Sequence, residues 1–398
     1  MRVLIVSQIG THPHNRGSRQ RLYRQCCQMM ELDWQIDFLF CGGRVGLNTE
    51  EMKNFFGKEH FFYAITTSIA PKYQLKDMVR KSLDKKGLTK FIPLFYKADE
   101  VYYKEVGERV QELLGKQKYD IIWLPFPRQS KVLEDIGSDI FKVIVSDDVF
   151  AYRNLIFQKV GRVPEGIYTT RGQERKGLVK ADLVVAIQDK EEEYFKKLMK
   201  RQQTPCITLG DMVEFHKSEA GNEKVFGFIG SNYDPNEVAV KWLSEKVLPL
   251  VHKMEPGYKC IIAGNVCGRI PDNEYYEKIG RVEHLQDYYD QISISINPIQ
   301  NGTGLNIKGI EALAYGKPLI TTPVGAKGLA DAAEAMIVCE DAQQFAEQLV
   351  LLMQNKQKRE SMSEEAEKFI YRYNTKNRDA LLDIEKMVIE KAKGVNRI

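Results

Sequence analysis

The chain lacks the cysteine pattern of a disulfide framework or of a zinc site. Its seven cysteines are odd in number, and no two of them form a Cys-x-x-Cys pair. A reducing cytoplasm is therefore the expected compartment. No uncharged apolar run reaches the roughly 18 residues that cross a bilayer, and the first residues lack the long apolar region of a secretion signal. We predict a cytoplasmic protein without a spanning segment.

The chain also has little excess charge of either sign. It carries 58 Lys and Arg against 54 Asp and Glu, which leaves a net charge of +4. That excess is too small to indicate a nucleic-acid partner. With 398 residues and 43% hydrophobic content, the chain can bury large cores in two or three domains.

Short β-branched runs alternate with amphipathic segments along most of the chain. The first strand, Val3 to Ser7, is followed by a loop, a helix and a second strand, which is how a doubly wound domain begins. A polar stretch at 202–224 interrupts this alternation and reads as a linker. We predict an α/β protein of two Rossmann-like, doubly wound domains facing a cleft, with domains at 1–205 and 206–374.

The stretch 297–329 combines several features of a phosphate-binding βαβ unit. A strand at 292–296 leads into a loop with Gly302 and Gly304, and a helical segment with Lys308 and Glu311 follows. Free N–H groups at a helix start bind phosphate, and Lys308 adds a cation. The loop follows neither the Gly-x-Gly-x-x-Gly nor the Walker pattern. Alternatives are a solvated lysine and a helical ion pair between Lys308 and Glu311.

A second glycine turn comes earlier in the same half. Gly230 and Ser231 end the run VFGFIGS, where glycine permits close approach to a ligand and serine offers a hydroxyl. The alternative is an ordinary strand-to-helix turn.

Together these motifs resemble the donor-binding half of GT-B glycosyltransferases, in particular glycosyltransferase family 4. The matching segments are EALAYGKP from Glu311, TPVGAKGL from Thr322 and GFIGSNYDPNEVAVKWL from Gly227. The resemblance covers about residues 225–330 and is carried by the combination of segments rather than by any one of them.

The resemblance implies a nucleotide-diphosphate sugar as donor substrate, with no metal and no other cofactor, and transfer with retention. Glu311 would bind the ribose, and Lys308 the diphosphate. The base would lie near 281–285, which includes Val282. The last helix, from about 375 to 398, would return to the first domain. The remaining implied donor contacts are Gly230, Ser231, Asn301, Gly302, Thr303, Gly304 and Leu305.

Some positions depart from the family pattern. Asn301, Thr303 and Asn306 stand where family members often carry charged residues. These departures favour an alternative, a non-catalytic or weakly active GT-B module that binds nucleotide or glycan. A nucleotide-sugar epimerase of related fold is a third hypothesis, although the histidine and acid set that it needs is not evident.

The first domain supplies the predicted acceptor side. Gly17 fits the family's loop after the first strand, with Arg16 and His14 beside it. For His14, a surface histidine is the alternative. Asp147 follows a strand and could orient an acceptor hydroxyl or take its proton, and a turn-capping role is the alternative. The predicted catalytic residues are thus Lys308, Glu311 and Asp147.

A basic segment at 72–97 mixes lysines with bulky apolar residues. The default interpretation is a solvated helical face. The alternative is contact with anionic lipid on the inner face of the membrane. This contact would suit a transferase of cell-envelope polysaccharide biosynthesis that uses a glycan or lipid-linked acceptor.

Overall fold

The computed structural model describes residues 1–14, 17–42, 48–64, 71–88, 91, 94–159, 167–218, 221–301, 305 and 307–395. The chain divides into two compact units. The first comprises Met1–Met212 with Lys376–Ile398, and the second comprises Val213–Thr375. The sequence prediction placed the corresponding divisions after residue 205 and at about residue 375.

The first unit is built on a seven-stranded parallel sheet with the strand order β3-β2-β1-β4-β5-β6-β7. Ile5 of the interior strand β1 lies opposite Phe38 on one side and Trp123 on the other. The strands are β1 (Arg2–Ser7), β2 (Gln35–Phe40), β3 (Phe61–Tyr63), β4 (Ile121–Leu124), β5 (Phe141–Ser146), β6 (Leu183–Ala186) and β7 (Cys206–Thr208).

Helices cover both faces of this sheet. Val3 and Ile5 point into one hydrophobic cluster, and Leu4 and Val6 point into another. Because side chains alternate along a strand, a continuous apolar run requires cover on both sides. The helices are α1 (Gly17–Glu31), α2 (Thr49–Phe56), α3 (Pro71–Lys85), α4 (Lys104–Lys116), α5 (Arg153–Lys159), α6 (Arg171–Leu178) and α7 (Asp189–Met199), with a 3₁₀ segment at Pro127–Asp135.

The second unit is also built on a parallel sheet, which has six strands in the order β10-β9-β8-β11-β12-β13. Cys260 and Ile262 of β9 enter one cluster, while Ile261 and Ala263 enter the other. The strands are β8 (Val225–Ile229), β9 (Lys259–Ala263), β10 (Glu277–Gly280), β11 (Ile294–Asn297), β12 (Leu319–Thr321) and β13 (Met336–Val338).

The helical segment after the first strand of the second unit is interrupted once. A π turn at Leu243–Val247 separates two helices. Pro249 lacks an N–H and its ring crowds the preceding turn, and a widened turn relieves both problems. The helices are α8 (Asp234–Trp242), α9 (Leu248–Met254), α10 (Leu285–Tyr289), α11 (Ile307–Ala314) and α12 (Ala342–Gln354). The last helix, α13 (Lys356–Val395), belongs to the second unit up to Thr375 and to the first unit from Lys376 onward.

Two differences from the sequence predictions are local. Strands β3, β7 and β13 were not predicted, and β7 lies within the stretch that reads as a linker. Helix α1 begins at Gly17, so Gly17 is helical rather than part of the loop after the first strand.

Candidate functional site

Backbone segments approach one another closely at the carboxyl edge of the second sheet. The Gly230 N–H donates to the Ala263 carbonyl over 3.0 Å, and the Gly230 carbonyl accepts from the Val266 N–H over 3.0 Å. Gly264 has φ +87°, and a Cβ there would lie 2.3 Å from the Gly230 oxygen. Only glycine fits such a position. The predicted residue Gly230 therefore lies in a tight backbone cradle.

The adjacent residue, Ser231, is exposed and is held by a buried asparagine. The Asn236 amide nitrogen donates to the Ser231 carbonyl over 2.8 Å and to its hydroxyl over 3.3 Å. Asn236 is buried at the start of α8, and its side-chain oxygen has no partner among the described residues. Sequence reasoning identified Ser231 but missed Asn236.

The end of β11 is tied to the turn that follows β12. The Asn297 amide nitrogen donates to the Gly325 carbonyl over 3.3 Å, and the Asn297 carbonyl accepts from the Thr321 hydroxyl over 3.1 Å. A Cβ on Gly325 would lie 2.2 Å from the Thr321 hydroxyl oxygen. These contacts explain why the turn needs a glycine at 325.

Two buried side-chain oxygens precede the predicted phosphate loop. Asn297 and Asn301 are buried, and the side-chain oxygen of each lacks a hydrogen-bond partner among the described residues. Buried acceptors of this kind cost free energy unless something satisfies them. Residues Gly302, Thr303 and Gly304 lie outside the described residues, so their predicted role remains a prediction.

Helix α11 carries the predicted charged pair. Lys308 and Glu311 are three residues apart near its start, and both are half-buried. Burial lowers the pKa of the Lys308 ammonium, and the charge of Glu311 acts in the opposite direction. A partly desolvated cation at this edge is a strong partner for an anion because solvent screens it little. Leu305, before the helix, is half-buried.

An aromatic stack borders Glu311. The rings of Tyr289 and Tyr315 stack with centroids 4.4 Å apart, and His216 stacks on Tyr315 at 5.1 Å. Burial raises the pKa of the Tyr289 hydroxyl, and the nearby charge of Glu311 adds to that rise. Val282 packs on the same hydrophobic cluster as Tyr289. No sequence pattern distinguishes Tyr289 from an ordinary core tyrosine.

The first unit has its own polar cluster at the carboxyl edge of its sheet. Asp147, which follows β5, pairs with the Arg21 Nη1 atom at 3.0 Å, and Arg21 Nε lies 3.2 Å from Asp211. Arg21 also donates to the Leu209 carbonyl over 3.0 Å. Burial raises the pKa of Asp147 to about 6. The charge of Arg21 acts to lower this pKa, and the charge of Asp211 acts to raise it.

Two further buried carboxyl groups of the first unit were not predicted. Burial raises the pKa of Glu191 to about 8, and the charges of Asp148 and Asp147 add to the rise. Burial also raises the pKa of Glu174 to about 7, although its carboxylate accepts from the Tyr194 hydroxyl over 2.6 Å. In sequence, both are ordinary acids in first helical turns, so nothing signals their burial.

The predicted acceptor-side residues occupy the segment before α1. His14 is exposed, and its ring contacts those of Tyr23 and His12 in tilted arrangements, with centroids 4.0 Å and 4.4 Å apart. Partial burial lowers its pKa. Gly17 opens α1, and Arg16 lies outside the described residues.

Two searches of the described residues bear on other functional classes. No group of three or more His, Cys, Asp or Glu side chains has an arrangement that could hold a metal ion. No helix within these residues has both the length and the apolar character needed to cross a bilayer.

Comparison with known proteins places both units in a known architecture. Residues 223–355 match the family model described as glycosyl transferases group 1. A relative from Klebsiella pneumoniae, described as an uncharacterized 44.6 kDa protein in the cps region, is 23% identical over 301 residues, which cover 70% of this chain and 74% of that protein.

Solved structures match over almost the whole chain. TarM superposes with a TM-score of 0.68 at 10% identity, covering 97% of this chain and 98% of TarM. The pneumococcal O-GlcNAc transferase GtfA, in complex with UDP and GlcNAc, superposes with a TM-score of 0.66 at 13% identity, covering 98% and 99%. The predicted α/β class and GT-B fold are therefore confirmed, and the narrower family 4 assignment stays a prediction.

Proposed function

We propose that this chain, which carries a group 1 glycosyl transferase domain on a GT-B fold, transfers a sugar from a nucleotide-diphosphate sugar to a hydroxyl acceptor. The domain match at 223–355 includes the whole segment from β11 to β12. A fold alone does not define an activity, so the proposal depends on the chemistry of this segment.

The observation that supports it most directly is the polar set around the start of α11. Lys308 and Glu311 are half-buried there, and Asn297 and Asn301 offer buried oxygens before the loop. Lys308 and the N–H groups at the helix start would bind the diphosphate. A carboxylate such as Glu311 can accept from both hydroxyls of a ribose.

In the proposed reaction, the bond between the anomeric carbon of the sugar and the diphosphate oxygen breaks. The nucleoside diphosphate leaves with the bonding electron pair, and the acceptor oxygen forms the new glycosidic bond and loses its proton. Negative charge grows on the leaving diphosphate, and Lys308 would stabilise it without a metal ion. By resemblance to family 4, the anomeric configuration would be retained.

For Asp147 we propose the role of orienting the acceptor hydroxyl or taking its proton. A carboxyl whose pKa lies at about 6 is suited to proton transfer near neutral pH. His14, Arg16 and Gly17 are proposed to contact the same acceptor, which would be a glycan or a lipid-linked glycan. The Klebsiella relative in the cps region supports a role in cell-envelope polysaccharide biosynthesis.

A thermal-shift screen with UDP, GDP and ADP, and with their sugars, tests donor binding. A ligand that binds only the folded state stabilises it by about 2.7 kcal/mol at a concentration a hundredfold above its Kd. We expect one nucleoside diphosphate to raise the Tm, and the corresponding nucleotide-sugar to be consumed when an acceptor is supplied.

The outcomes separate the proposal from its rivals. A Tm increase without any turnover would favour a binding module, and release of free UDP without sugar transfer would favour an epimerase. No Tm increase from any nucleotide at millimolar concentration would contradict donor binding altogether.

A further inference from the structure

Helix α3 of the first unit buries charged side chains and exposes apolar ones. Its charged residues Arg80 and Asp84 are 4% and 6% exposed, whereas Leu75 and Met78 are 64% and 67% exposed. The surface helices of a globular protein normally bury their apolar stripe. The expectation that the charged face of this segment is solvated is therefore wrong for Arg80 and Asp84.

Polar contacts fix the helix in this orientation. Arg80 Nη2 donates to both carboxylate oxygens of Glu100 over 2.8 Å, and Arg80 Nε donates to the Leu94 carbonyl over 2.8 Å. The guanidinium also lies 3.8 Å from the centre of the Tyr96 ring. On the next turn, Asp84 accepts from the Tyr168 hydroxyl at 3.3 Å. A rotation of the helix about its axis that buried Leu75 would break these contacts of buried charged groups.

The outward side of the helix is apolar. Leu75, Met78 and Val79 are exposed and are spaced at i, i+3 and i+4, so they share one face of the helix. Three further exposed apolar side chains follow the helix in sequence, Leu88, Phe91 and Leu94, and Phe91 is 81% exposed. We call these six side chains the α3 strip. Exposed apolar side chains of this size and number are typical of a binding surface.

The exposed charges around the α3 strip have one sign. Among the described residues from 75 to 97, the acids Asp77 and Asp84 are half-buried or buried, and both have polar partners in the unit. The exposed charged side chains in that range are Lys76, Lys81, Lys85, Lys86 and Lys97.

We propose that the α3 strip binds the surface of an anionic lipid bilayer. Bulky apolar side chains would enter the boundary between headgroups and acyl chains, and the lysines would meet anionic headgroups. Charge complementarity selects this partner, because every exposed charged side chain among the described residues from 75 to 97 is a lysine, and lysines attract a negatively charged surface. The proposal needs no nucleotide and no turnover. If the proposed transferase reaction also holds, this surface would bring the enzyme to a lipid-linked acceptor.

Vesicle co-sedimentation tests the proposal directly. The full chain is mixed with vesicles of phosphatidylcholine alone, or of phosphatidylcholine with phosphatidylglycerol, without any nucleotide. We expect binding only to the anionic vesicles, and weaker binding at high salt. The double variant Met78→Ser/Phe91→Ser should weaken binding by at least about tenfold, and Lys85→Gln/Lys86→Gln by about fivefold for each lysine removed.

Matched variants keep the test specific. Leu351→Ser removes an apolar side chain that is 56% exposed on α12 of the second unit. Lys241→Gln/Lys246→Gln removes two exposed lysines from α8 and the π turn of the same unit. These controls should bind vesicles like the wild type. All the substituted positions are exposed, so far-UV circular dichroism and Tm should remain unchanged.

Two results would overturn the proposal. One is an absence of binding to anionic vesicles by the wild type. The other is binding to anionic vesicles that Met78→Ser/Phe91→Ser leaves intact. If the same variant also abolished self-association in sedimentation velocity, the α3 strip would instead bind a second copy of the chain. Failure of nucleotide-sugar turnover alone would leave vesicle binding unchanged, so the two proposals fail separately.

Discussion

Replacing Lys308 with methionine is expected to lower kcat/KM for sugar transfer by about 10²–10³-fold. The half-buried ammonium is the charged group closest in sequence to the predicted diphosphate loop. In the proposed reaction it stabilises charge that develops on the leaving group, so its loss should reduce kcat more than it raises KM. Steady-state kinetics with the nucleotide-sugar identified by the thermal-shift screen provides the measurement.

The matched control is Lys246→Met, which removes an exposed lysine from the π turn of the same unit. It should leave kcat and KM unchanged. Glu311→Gln should mainly raise KM, by about 10–100-fold, because an amide makes weaker hydrogen bonds to ribose hydroxyls than a carboxylate does. Equal activity of the Lys308→Met and Lys246→Met enzymes would remove Lys308 from the mechanism.

Replacing Arg21 with methionine is expected to lower the free energy of unfolding by about 3–5 kcal/mol at neutral pH. Arg21 is buried between Asp147 and Asp211, at 3.0 Å and 3.2 Å, and methionine would leave both carboxylates without their cation. Arg201→Met, on an exposed turn after α7, is the control and should change stability by less than about 0.5 kcal/mol.

The loss of unfolding free energy in Arg21→Met should increase as the pH rises. In the folded state the pKa of Asp147 is about 6, above its ordinary value of 3.8, so ionisation of this group already disfavours folding. Without Arg21 that pKa rises further, because the guanidinium lowers it. At about pH 5, Asp147 is mostly protonated in the folded state of both proteins, so its contribution to the difference is small; above about pH 6 this contribution grows. Urea unfolding at about pH 5 and about pH 8 measures this change. A difference between the two proteins that is independent of pH would contradict this electrostatic account.

The central strands could be predicted because their sequences are nearly continuous β-branched runs. The first strand was predicted at Val3 to Ser7 and lies at Arg2–Ser7, since a buried parallel strand must be apolar on both faces. The missed strands, β3, β7 and β13, are three residues long and lie at sheet edges. Three residues are too few to show a period, and edge pairing depends on the neighbouring strand rather than on local sequence.

The orientation of α3 could not be predicted from its own residues. The same helical spacing of Leu75, Met78 and Val79 fits an inward or an outward apolar face. Glu100, twenty residues after Arg80, decides between them by binding the guanidinium. Local periodicity contains no information about such a partner.

The residues of the candidate site could also be predicted only in part. The spacing of Lys308 and Glu311 on one helix is visible in the sequence, and the structure places both near the start of α11. Asn236, Asn297 and Tyr289 are ordinary residues in the sequence. Their burial follows from how distant strands and turns pack together, which no local pattern records.

Isothermal titration of nucleoside diphosphate and nucleoside monophosphate tests the central claim most directly. If Lys308 and the start of α11 bind the diphosphate, the wild type should prefer the diphosphate by at least about tenfold, and Lys246→Met should keep that preference. Lys308→Met should lose most of it while still binding the monophosphate, because the contacts to base and ribose remain. Equal affinity of the wild type for the two nucleotides, or an unchanged preference in Lys308→Met, would contradict the account.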